Sequence, residues 1–137
     1  MLRIILGAII GFIVWSILWV GSDALFSAIS PGWYGRHHAE LEAAVNNKTA
    51  FMSDSTILII GLVRSVIFSI VAGFIAALIA GENSKSTLAC GVLLLLFGIF
   101  IQSIFWNYAP LWYHILFLLL LIPMTILGGK LKKARLN

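Results

Sequence analysis

Apolar residues dominate long stretches of this chain, and the polar interruptions set its organisation. Between Lys85 and Lys130 lie 44 consecutive residues without one Asp, Glu, Lys or Arg. One bilayer crossing takes about 20 apolar residues. The stretch therefore holds two crossings, and Asn107-Tyr108-Ala109-Pro110 supplies the turn between them. The N-terminal half has two further runs, each broken by a single charge, Asp23 in the first and Arg64 in the second. The pattern predicts an all-α, integral-membrane four-helix bundle with spans at about 4–29, 55–80, 87–106 and 111–129. An outer loop of residues 30–54 and a basic tail of residues 130–137 complete a single membrane domain, 1–137.

Local signals set the boundaries. Ser30-Pro31-Gly32 ends span one, because proline and glycine together break a helix. A helix over 4–29 would be about 39 Å long, so it must tilt or emerge from the bilayer. Ser53-Asp54 is an N-cap pattern for span two. Gly81 to Ser86 forms a short polar turn. Pro123 should loosen span four, which a membrane bundle tolerates. In the loop, Arg36 to Val45 has good helix formers with Leu41, Ala44 and Val45 on one face, predicting a short helix on the outer surface.

Composition agrees with the pattern. Of 137 residues, 61% are hydrophobic and 10% charged, against about a quarter charged in a soluble domain. The net charge of +4 does not point to nucleic acid, since four of the nine basic residues crowd into the last eight positions. Arg3, Lys85, Lys130, Lys132, Lys133 and Arg135 fall on one side of the membrane, Arg36 and Lys48 on the other. That asymmetry predicts both termini in the cytoplasm. The interfacial aromatics Trp33, Tyr34, Trp106, Tyr108, Trp112 and Tyr113 then gather on the outer side. The first run is too long for a signal-peptide core and no small-x-small cleavage site follows, so it is expected to be a retained span.

Three groups of residues are candidates for function. Gly61, Ser65, Ser69, Gly73, Ala77 and Gly81 recur every fourth position in span two, a helix-packing seam of the kind that lets helices approach closely in lipid. Its partner is another helix of the same chain or a second copy. Gly7 and Gly11 form a shorter version in span one. Asp23 and Arg64 fall at similar depth and are expected to pair, completed by Ser65 or Ser22. A lone charge there would cost about 2.5–3.5 kcal/mol. With Gln102 and His114 they form a candidate intramembrane polar cluster, either a stabilising pair with polar neighbours or a ligand site, and Trp15 and Trp19 could wall it. His37, His38, Glu40 and Glu42 suggest a metal site, but His38 and Glu42 supply only two ligands on one face, where catalytic zinc takes three. A solvated surface helix is the expectation there, with no metal and no cofactor. Cys90 is expected to be a small packing residue.

From Ser65 to Lys133 the chain resembles an uncharacterised family of small four-helix bacterial inner-membrane proteins. The likeness rests on the small-residue row ending in Ala72-Gly73-Phe74-Ile75-Ala76-Ala77-Leu78-Ile79-Ala80, on Pro110-Leu111-Trp112-Tyr113-His114, and on Pro123 followed by Gly128-Gly129. It implies the fold and an inner-membrane location, and no activity. Small multidrug exporters, fluoride channels and glutathione-using membrane enzymes each require intramembrane polar residues that this chain lacks. The expected function is that of a non-enzymatic structural or accessory subunit, or a homo-oligomer. The alternative is a small transporter or channel protomer using the polar cluster. The expected partners are the lipid bilayer and either further copies or a larger membrane complex.

Overall fold

The computed structural model describes the backbone of residues 2–136 and the side chains of residues 2–131. The side chains of Lys132, Lys133 and Arg135 lie outside the described residues. Five α-helices follow in order: α1 Leu2–Ile29, α2 Arg36–Asn47, α3 Ser55–Ala80, α4 Lys85–Ile104 and α5 Leu111–Leu136. Four of them, all but α2, are long and apolar enough to cross a bilayer. The architecture is that of a small multi-pass membrane protein.

The helix ends follow the local chemistry with instructive shifts. After Ile29 a π-type turn spans Pro31–Gly35, closed by the Gly35 amide on the Ser30 carbonyl at 2.9 Å, and leads directly into α2. Asp54 caps α3, its carboxylate accepting from the amides of Thr56 at 2.9 Å and Ile57 at 3.4 Å. Gly81 ends α3 in the left-handed region at φ 74°, which costs glycine nothing. The α4 helix starts two residues earlier than expected because Glu82 accepts from the amides of Ser84, Lys85 and Ser86, meeting donors that a first turn leaves unpaired. It stops at Ile104, and the expected last residue, Trp106, sits in a 3-10 turn over Trp106–Tyr108.

The basic stretch expected as a tail after Gly129 instead continues α5 to Leu136. Gly128 and Gly129 are interior packing positions rather than a stop. A Cβ on Gly128 would clash with the Ile70 carbonyl, and one on Gly129 with the Thr87 side chain. Pro123 also stands within this continuous helix, on its exposed face.

The bundle runs up-down-up-down, and α3 is its central member, packed chiefly on α1 and α5. Gly7 and Gly11 of α1 lie against the carbonyls of Ala76 and Ala72, and Gly73 lies against the Thr125 backbone of α5. Ser65, Ser69, Ala72, Ala76 and Ala77 are fully buried. Between the helices sits a core of Trp15, Leu94, Phe117 and Leu121 with Cys90 and three alanines. Trp15 stacks on Trp19 at 5.2 Å, and Phe117 meets both edge-on. The large apolar side chains Ile13, Ile17, Val63, Ile67, Leu96, Phe100 and Leu119 point outward, the inverse of a soluble bundle and the surface a lipid solvent requires.

Candidate functional site

The polar residues concentrate at the end of the bundle that α2 covers. There α1 ends, α3 begins, and the α4–α5 turn returns. Arg64, about two and a half turns past the start of α3 at Ser55, reaches across to α1. Its Nη1 lies 3.0 Å from the Asp23 carboxylate, donates to Ser22 Oγ at 2.7 Å, and approaches the Trp19 carbonyl at 3.4 Å. The guanidinium carbon stands 4.1 Å above the Trp19 ring, close enough for a cation–π contact. Arg64 Nε is buried without a hydrogen-bond partner among the described residues. Of the two serines expected to complete the pair, Ser22 does so. Ser65 turns away into the helix interface, where its Oγ is buried and unpartnered.

Tyr34, supplied by the π-type turn, donates its hydroxyl to the same Asp23 oxygen. Burial, then this bond, pushes the Tyr34 phenol pKa upward, so it stays a donor. Asp23 therefore ties together α3, α1 and the segment leading to α2. The α2 helix is held on the other side by His37, whose Nε2 accepts from the Asp54 amide at 3.1 Å, and by a long 3.5 Å bond from the Tyr108 hydroxyl to the Ala44 carbonyl. Asp54 also accepts from the Trp33 indole at 2.8 Å, and that bond, with those from the Ile57 and Thr56 amides, lowers its pKa.

Beneath α2 lies a cavity of about 170 Å³. Asp23, Arg64 and Gln102 line it, joined by Trp19, Tyr34, His37 and Tyr113. His114, the fourth member of the expected cluster, does not. It is fully buried behind Gln102, with Nδ1 on the Gln102 side-chain oxygen, Nε2 3.1 Å from the Trp106 carbonyl, and its ring stacked on Trp106 at 4.7 Å. These contacts tie Gln102 to the α4–α5 turn.

The surface-helix residues divide between two faces. His38 and His37 both line the cavity, so α2 is a cover rather than a wholly solvated helix. Arg36 and Glu40 pair at 3.5 Å on its open side. Among the described residues no cluster of three or more metal-ligating side chains forms. The packing seam also divides. Gly61, Ser65, Ser69, Gly73 and Ala77 face neighbouring helices of the same chain, whereas Gly81 belongs to the turn and lies beside the Arg3 guanidinium. Gly61 borders the cavity, and a Cβ there would stand 3.1 Å from the Tyr113 hydroxyl.

In the sequence Tyr34 and Tyr113 read as interfacial aromatics, apart from the cluster. The turn that swings Tyr34 inward has no composition signal beyond Pro31 and Gly32. For Tyr113 the signal was its position one residue before His114 at equal depth. Searches of protein-family models, curated proteins and solved structures give no match to this chain.

Proposed function

We propose that this is a non-enzymatic accessory protein of a bacterial cytoplasmic membrane, with both termini inside and α2 on the outer surface. The observation that carries this reading is the apolar plug below the polar cluster. Trp15, Trp19, Phe117, Leu94 and Leu121 pack the bundle between the Asp23–Arg64 pair and the end that bears the termini, and the Trp15 indole engages the buried Ser69 hydroxyl there at 3.2 Å. Arg64 is moreover engaged by Asp23, Ser22 and the ring of Trp19, the arrangement of a clamp. Since the small residues of α3 are used within the chain, an outside partner would meet the lipid-facing surface. The six-to-two distribution of basic residues supports the orientation.

The cavity favours a second reading, a small transporter protomer. Two measurements separate them. In mild detergent an accessory subunit copurifies with a larger membrane complex. A transporter arrives alone or as an oligomer and moves solute in proteoliposomes, and an Asp23→Asn/Arg64→Gln double variant stays folded but loses that flux. For the orientation, cysteines placed at His38 and Lys130 in a Cys90→Ser background should react with an impermeant maleimide from opposite sides. Labelling of both from one side overturns it.

A further inference from the structure

We propose that the cavity beneath α2 binds an uncharged six-membered ring bearing a hydroxyl or carbonyl oxygen, the head of a phenol or a quinone. Size is the first argument. The cavity holds about 170 Å³, and a buried apolar cavity of about 150 Å³ accommodates benzene. Its walls supply ring faces and edges from Trp19, Tyr34, Phe51, Phe105 and Tyr113, the surroundings an aromatic guest prefers.

Charge is the second. The only full charges on the wall belonging to the spans, Asp23 and Arg64, neutralise each other at 3.0 Å. An anion would meet Asp23 and a cation would meet Arg64, so neither gains what an uncharged guest does not.

Hydrogen bonding is the third. Gln102 is 5% exposed and uses one side of its amide on His114, while the other has no partner among the described residues and is not sealed from the cavity. The Tyr113 hydroxyl likewise makes no hydrogen bond among the described residues and is not sealed off. An acyl chain would leave both groups unpaired. A ring oxygen would satisfy them. Because the Trp106 carbonyl can only accept, His114 Nε2 carries a hydrogen. A neutral His114 then has a bare Nδ1 that calls for the Gln102 NH₂, turning the amide oxygen to the cavity as an acceptor for a hydroxyl. With the amide oxygen on Nδ1 instead, the NH₂ turns to the cavity as a donor for a carbonyl. The same pocket thus accommodates either oxygen.

The full chain in nanodiscs, titrated while following tryptophan fluorescence, tests this. The probes are 4-ethylphenol, a benzoquinone with a ten-carbon tail, 4-ethylbenzoate and ethylcyclohexane. Saturable binding of 4-ethylphenol indicates a guest drawn from water; saturable binding of the tailed quinone alone indicates a guest drawn from lipid. Either supports the site, provided Tyr113→Phe and Gln102→Leu each weaken binding about tenfold, the size of one enclosed hydrogen bond. Should Gln102→Leu fail to fold, Tyr113→Phe carries the test alone. Binding unchanged in Tyr113→Phe, binding of the benzoate or the oxygen-free ring as tight as that of the phenol, or no saturable binding of either oxygen-bearing ring overturns the proposal.

Discussion

Arg64 of α3 and Asp23 of α1 stand 3.0 Å apart, and Tyr34 donates to the same carboxylate from outside the helices. The three groups are unequal partners. Asp23 keeps a donor if Arg64 is lost, whereas Arg64 without Asp23 retains only a serine, a carbonyl and the ring faces of Trp19, Phe26 and Tyr34. Asp23→Asn should therefore destabilise the protein by about 3 kcal/mol, the cost of an uncompensated buried charge. Arg64→Gln should cost less, and the double variant less than the sum of the two. Reversible unfolding in mixed micelles, followed by tryptophan fluorescence, measures all three.

Glycines of the bundle differ sharply in what surrounds them. Gly73 has the Thr125 carbonyl where a side chain would be, whereas Gly21 has nothing within 4 Å. Gly73→Val should lower stability by about 3 kcal/mol or prevent folding, as overpacking against backbone does. Gly21→Ala should be neutral or slightly stabilising because alanine is the better helix former by about 1 kcal/mol. Unfolding midpoints of the two variants should separate clearly.

The docking of α2 should weaken in acid. Burial holds the His37 pKa below its ordinary 6.5, although Asp54 and Glu40 oppose this and His38 reinforces it. A lowered folded value means the unfolded or undocked state binds the proton first. The contribution is complete above about pH 6.5 and is lost as pH falls through the lowered value, because protonated His37 can no longer accept from the Asp54 amide. Protection of the amides of residues 36–47, relative to their intrinsic exchange rate at each pH, should therefore fall between neutral pH and pH 5. A His37→Leu variant should show no such dependence.

At the opposite end Glu82 caps α4. Burial would raise its pKa, but the amides of Lys85, Ser86 and Ser84 outweigh it and hold it at about 2, down from 4.5. As with His37, the folded value lies below the unfolded one, so the contribution is lost on acidification. Glu82 stabilises fully above pH 4.5 and loses this as pH falls toward 2. Glu82→Ala should shorten α4 at its start at neutral pH, read as faster exchange of the Ser84, Lys85 and Ser86 amides.

The number of long helices, the α2 segment and the partnership of Asp23 with Arg64 were legible in the sequence, because charge in an apolar run is costly enough to dictate its surroundings. The rotation of each helix was less legible. Ser65 and Ser22 are equivalent on paper, and only the azimuth of α3 decides that Ser22 reaches the guanidinium. The end of α5 was less legible too: the basic residues after Gly129 read as a tail, and the neighbouring Ile70 and Thr87 that make Gly128 and Gly129 interior packing positions are distant in sequence. His37 looked solvated because its acceptor role depends on the backbone of Asp54, which no side-chain pattern reveals.

The interlock of Gly73 with Thr125, and of Gly128 with Ile70, joins the second crossing to the last. During synthesis, then, the central helix enters the lipid with one flank bare, and that flank stays bare until the final crossing has been made. Completion of the bundle is an event of the finished polypeptide, and a chain halted before Leu111 would present its narrowest, most adhesive strip of backbone to whatever else is in the membrane.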